Sequence, residues 1–108
     1  MAIIEEVNDG NFKETVLEES KLVVVDFWAQ WCGPCRKLTP LLEQIQNEFL
    51  NEIKVVKIDA DKNINTAKEY GISSLPSVLI IKNGEVKEIM AGMMQKSAIV
   101  FNIKKYVD

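Results

Sequence analysis

Histidine is absent from the 108 residues, and cysteine occurs only twice. Without an imidazole, every mechanism built on a histidine base, a histidine metal ligand or a Ser-His-Asp triad is excluded. Catalysis must rest on thiol, carboxylate, amine or hydroxyl groups. Five glycines and three prolines are too few for a collagen-like or low-complexity chain. Long apolar runs are also missing. The longest, residues 22–25 and 78–81, fall far short of the roughly 20 residues that a membrane-spanning helix needs, so no membrane partner is expected. Nor is there an excess of basic charge, since 13 Lys and Arg face 16 Asp and Glu. Residues 1–54 hold 5 basic and 10 acidic groups, and residues 55–108 hold 8 and 6. No basic stripe awaits a phosphate backbone, which argues against nucleic acid as a main partner. The first seven residues, Met1-Ala2-Ile3-Ile4-Glu5-Glu6-Val7, turn acidic where a secretory signal needs a cationic start and a longer apolar run. The expectation is a soluble protein of a reducing compartment.

What remains is a globular composition, 47% apolar and 27% charged. It suits one domain over residues 1–108 with a single core. Leu22-Val23-Val24-Val25-Asp26-Phe27-Trp28 is apolar except for one carboxylate, the pattern of a central strand covered on both faces. From Pro34 the period changes, with Cys35, Leu38, Leu42, Ile45 and Phe49 on one helical face. Strand character returns over residues 53–58, so strand, helix and strand predict a right-handed crossover between parallel strands. A helix over 63–70 ends at Gly71. Strands over 77–81 and 85–90 flank Asn83-Gly84, a strong hairpin signal because both residues tolerate positive φ. Further helices are expected over 11–18 and 97–107, the latter presenting Ile99, Val100, Ile103 and Val107 on one side.

Trp31-Cys32-Gly33-Pro34-Cys35 falls where the central strand gives way to the helix, at the carboxyl edge where open α/β sheets form their sites. Unpaired N–H groups and the positive end of the helix dipole favour a thiolate at Cys32, which makes it the expected attacking sulfur. Two intervening residues place Cys35 one turn along, within reach of a mixed disulfide on Cys32. Pro34 suits the first turn, where its missing N–H costs nothing.

Three other readings stay open. Structural zinc needs about four ligands, so two thiols require a second subunit or carboxylates. A structural disulfide over so short a ring removes little entropy from the unfolded chain. Two inert core cysteines are possible, although the Gly-Pro spacer and the helix start argue against burial of both. Redox chemistry is favoured, because CxxC beside a strand–helix–strand unit is a redox signature.

The segment from Asp26 to Cys35 resembles the active-site pattern of the thioredoxin family, and the likeness continues through Pro40, Lys57, Leu75-Pro76, Asn83-Gly84 and Gly92. It implies an α/β thioredoxin fold, a mixed five-stranded sheet flanked by four helices. It also implies a protein-disulfide reductase in which Cys32 is the nucleophile, Cys35 the resolving thiol, and Gly33 and Pro34 the spacer that sets the potential. Asp26 would exchange a proton with Cys35, with Lys57 tuning its charge. The residues alone leave Asp26 either buried with a raised pKa or facing solvent, and leave Lys57 snorkelling at a strand end.

Residue statistics favour a trans bond at Pro76, whereas the resemblance implies a cis bond that exposes Leu75 to an extended substrate. Trp31, Leu75, Pro76, Gly92 and Met93 are the expected client surface, joined by Gly33 and Pro34. Trp28 is assigned to packing, one of Met93 and Met94 to core or turn packing, and Pro40 to a helix kink.

The implied partners are a thioredoxin reductase and disulfide-containing client proteins. A cytoplasmic monomer is expected, with a plastid left open and no cofactor or metal implied. Ser73-Ser74 stands where many relatives carry a basic residue, and Arg36 where lysine is common. The Gly-Pro spacer adds no cation between the thiols, which favours a reductant over an oxidase or isomerase. A binding module with incidental cysteines is the rival from another class.

Overall fold

A computed structural model describes residues 3–107. The strands are β1 (Glu5–Val7), β2 (Leu22–Trp28), β3 (Ile53–Asp59), β4 (Ser77–Lys82) and β5 (Glu85–Ala91). The α-helices are α1 (Gly33–Glu48), α2 (Ile64–Glu69) and α3 (Lys96–Lys104), and a π-helical turn at Lys13–Leu17 is the fourth helical segment. The five strands form one sheet in the order β1-β3-β2-β4-β5. β1 and β2 run parallel to β3, whereas β4 runs antiparallel to both β2 and β5. This is the mixed, helix-flanked sheet of the thioredoxin fold.

The period-2 alternation of strands divides the core in two. Leu22 and Val24 of β2, Ile53 and Val55 of β3, and Val78 and Ile80 of β4 pack with Leu38, Leu42 and Ile45 of α1 and Ile99 and Ile103 of α3. Val23, Val25, Phe27, Val56, Ile58, Leu79 and Ile81 pack on the other face with Phe12, Val16 and Ala67. Strand β2 is buried on both sides, which is why it reads as an unbroken apolar run. The same parity puts Asp26 and Lys57 on the face that α1 covers.

Local chemistry accounts for the connections. Asn83 at φ 54° and Gly84 at φ 79° make the β4–β5 turn, the left-handed pair that their sequence predicts. The expected helix over 11–18 shortens to the π-helical turn, in which the Glu18 N–H bonds the Lys13 carbonyl at 3.0 Å. Tertiary packing of Phe12 and Val16, not helix propensity, holds that turn. α2 begins and ends one residue inside its expected bounds, and α3 stops at Lys104 rather than 107. Val100 and Val107 are only partly buried, with Ile99 and Ile103 forming the inner stripe. α1 continues through Pro40 to Glu48 without a break.

Candidate active site

Cys32 caps α1. It has extended backbone angles, φ −89° and ψ 104°, and its Sγ accepts a hydrogen bond from the Cys35 N–H at 3.2 Å. That contact takes up one of the N–H groups that every helix start leaves unpaired. Because Gly33 and Pro34 form the first turn, Cys35 returns to the same side as Cys32. A disulfide joins the two residues, whose Cα atoms are 5.4 Å apart.

Each cysteine keeps only 2% of its surface exposed, so the expectation that both would not be buried is corrected. Ala29 shares their cluster, and Trp28 and Leu75 pack over it. Exposed Gly33 and Pro34 leave the spacer, not the sulfurs, as the open part of the turn. Disulfide exchange needs access only to one sulfur.

Asp26 is 1% exposed. Burial removes water from its carboxylate and pushes its pKa up to about 7, with the Lys57 charge pulling the other way. Its Oδ1 is among the buried side-chain atoms that accept no hydrogen bond. Lys57 is the direct register partner of Asp26 across β2 and β3. Its ammonium lies 5.4 Å from the centroid of the Trp28 ring, a cation–π distance. Lys57 and Trp28 also line a cavity of about 350 Å³ that reaches Cys35, Arg36 and Thr39. The Arg36 guanidinium donates to the Gln30 carbonyl, and the Thr39 hydroxyl to the Cys35 carbonyl at 3.2 Å.

The Leu75–Pro76 bond is cis, as the resemblance implies and contrary to the residue statistics. Leu75 touches the disulfide cluster, while Pro76 itself is buried. The Pro76 carbonyl accepts the Gly92 N–H at 2.8 Å, and Gly92 sits at φ 85°, where a side chain is strained. This bond brings the Gly92-Met93 turn to the cis-proline. Met93 is 48% exposed and Trp31 68%, whereas Met94 packs against the core. Of the residues expected to form the rim, Trp31 and Met93 are open and Pro76 is buried.

Three residues of this end escaped the sequence reading. The Trp31 indole N–H donates to Asp61 Oδ2 at 2.7 Å, pinning the exposed ring. A groove of about 290 Å³ runs from Trp31 and Leu75 past Asp61, Ile64 and Ile72. Ile64 is 56% exposed, a large apolar side chain at the first turn of α2. That exposure was its only available signal, and it required the fold.

A sulfur pair joined at the start of a helix that follows the central strand, with a buried carboxyl of raised pKa in that same strand, is the equipment of disulfide exchange. Fold and site together place the chain among the α/β thiol–disulfide oxidoreductases. The thioredoxin family profile matches residues 3–105. Thioredoxin of Rickettsia conorii is 46% identical over 101 residues, covering 94% of this chain and 96% of the relative. Thioredoxin of Synechocystis sp. is 40% identical over 107 residues, covering 99% and 100%. The chloroplastic M-type thioredoxin of Chlamydomonas reinhardtii is 44% identical over 102 residues, 94% of this chain and 73% of the relative. The chain belongs to the thioredoxin family.

Proposed function

We propose that the chain is a protein-disulfide reductase in which Cys32 attacks and Cys35 resolves. The observation that carries this reading is the Cys32–Cys35 disulfide at the start of α1. In the reduced protein, the Cys35 N–H and the helix dipole favour a Cys32 thiolate. The thiolate attacks a client disulfide, forms a mixed disulfide and releases one client thiolate. Asp26 then takes the Cys35 proton. Cys35 attacks Cys32 Sγ, closes the Cys32–Cys35 disulfide and releases the second client thiol. Gly33 and Pro34 set the separation for this closure, and Lys57 biases the Asp26 titration.

Trp31, Leu75, Pro76, Gly92 and Met93 form the client surface in this reading. Their support is the cluster around the cis-proline, with Leu75 against the sulfurs and the Met93 and Trp31 side chains open. Clients are proteins carrying accessible disulfides, and electrons come from a thioredoxin reductase. No helix is long and apolar enough to cross a membrane among the described residues. A reducing cytoplasm is the proposed setting, and a plastid is the alternative that the chloroplastic relative suggests.

The test is a coupled assay in which insulin precipitation is followed with reductase and nicotinamide nucleotide. Turnover that depends on both the chain and the reductase supports the reading. A chain that binds clients but reduces none, even with a chemical dithiol, returns it to a binding module.

A further inference from the structure

Three sulfurs stand at or near the client end. Those of Cys32 and Cys35 are tied together, and each cysteine is 2% exposed, whereas Met93 is 48% exposed. The neighbouring methionines are partly buried. Met94 packs against the core with Met90, and Met90 Sδ accepts the Asn102 amide at 3.3 Å. Met93 is held at the edge of the site by backbone, through the Gly92 N–H on the Pro76 carbonyl at 2.8 Å. In the disulfide state the open nucleophilic sulfur of this rim is therefore a thioether, not a thiol.

We propose that Met93 is a peroxide modification site, and that its sulfoxide weakens client docking without touching the disulfide chemistry. The inference rests on the reductase reading above, which makes this rim the client surface. The thioether sulfur attacks hydrogen peroxide, the O–O bond breaks, an S–O bond forms, and water leaves. The sulfur loses two electrons and the peroxide gains them. Closure of the Cys32–Cys35 disulfide removes both thiolates from competition, so the oxidised protein is the form that reacts at Met93. The product carries a strong acceptor oxygen on a surface that a client must dehydrate, and an unpaired polar group under a docked partner opposes binding.

The experiment treats the full-length disulfide form with hydrogen peroxide, removes the excess, and maps added oxygen by peptide mass. Met93 should gain oxygen before Met90 and Met94. After thiol reduction, the treated protein should show a KM for insulin raised about five- to tenfold, with unchanged reduction of a small aromatic disulfide. Met93→Leu, compared with its own untreated sample, should lose the response, and Met94→Leu should keep it. Met93→Gln should raise the KM without peroxide.

Oxidation of Met94 or Met90 at the same rate as Met93 overturns the proposal, as does an unchanged KM in protein carrying the Met93 sulfoxide. Failure of the reductase reading looks different, because the untreated protein then reduces neither insulin nor the small disulfide.

Discussion

Asp26 and Lys57 are register partners on adjacent parallel strands, yet the Lys57 ammonium lies over the Trp28 ring, 5.4 Å from its centroid. Asp26 Oδ1 meanwhile accepts no hydrogen bond. A cation close enough to moderate the carboxyl, but not bonded to it, leaves desolvation dominant. The pKa therefore rises from 3.8 to about 7, and the group can change charge under working conditions. A bonded pair would hold Asp26 ionised and remove it from proton exchange.

The raised pKa makes stability depend on pH. The native state holds the Asp26 proton more tightly than the unfolded chain, so the contribution is fully present below the unfolded value of 3.8 and is lost as pH rises through about 7. Three units at about 1.4 kcal/mol each give a decline on the order of 4 kcal/mol from this group. Urea unfolding of the disulfide form at pH 5 and pH 8.5 should show roughly two-thirds of that decline, about 2 to 3 kcal/mol, in the native sequence. Asp26→Ala should be flatter by a comparable amount, whatever its packing cost at either pH. Parallel pH curves for the two proteins would show that the Asp26 pKa is not raised.

Resolution of the mixed disulfide should follow the same group. With Asp26 as the acceptor for the Cys35 proton, the rate at which a trapped client is released should rise with pH through about 7. Asp26→Asn should lower the rate by about 100-fold at neutral pH, the low end of general-base effects, and should shift the rise toward the thiol's own titration. Stopped-flow release of a fluorescent client from preformed mixed disulfide reads both quantities. An unchanged profile removes Asp26 from proton transfer.

Much of this arrangement was legible because local signals agreed with tertiary ones. The apolar run of β2, the Cys35-Leu38-Leu42-Ile45 stripe of α1 and the Asn83-Gly84 turn each carry a period or a backbone preference that the fold uses unchanged. β1 was not legible from patterning, since only Val7 of its three residues is buried and its pairing with β3 is long-range. The helix expected over 11–18 is present only as the shorter π-helical turn at Lys13–Leu17, because two buried side chains, not a continuous stripe, hold that segment. At the site, the cysteines declared themselves by type and position, whereas Asp26 stayed open between burial and solvent until the fold put it at 1% exposure. Burial of both sulfurs depends on Leu75 of the cis-proline loop packing over them, and the Asp61 bond to Trp31 on a pairing 30 residues apart in sequence, which no local pattern encodes.

Trp31 offers a clean separation of docking from chemistry. Its ring is 68% exposed and is fixed by the Asp61 bond at 2.7 Å, so little of the core depends on it. Trp31→Ala should change global stability by no more than about 0.5 kcal/mol. The KM for a protein disulfide should rise about threefold or more, since aromatic anchors carry a large share of interface energy. Reduction of a small aromatic disulfide should be unchanged. Asp61→Ala should give a smaller effect in the same direction, because the ring remains but is no longer pinned. Equal losses on both substrates would instead place Trp31 in the chemical step.

The two sulfurs should differ in what their removal does. Cys32 caps α1 and its Sγ receives the Cys35 N–H at 3.2 Å, an environment that favours the anion there. Cys35 lies inside the first turn, lining the cavity that Lys57 and Trp28 share. Cys35→Ser therefore keeps an attacking thiolate and loses only its resolver, so incubation with a client disulfide should accumulate a covalent complex that runs high on a non-reducing gel and collapses with dithiothreitol. Cys32→Ser should form about tenfold less or lower, because the remaining thiol lacks the capping position. Mass spectrometry of the trapped species should place the bond at Cys32. Equal trapping by the two variants would reverse the assignment of attacker and resolver and would leave the helix start without a role in choosing between them.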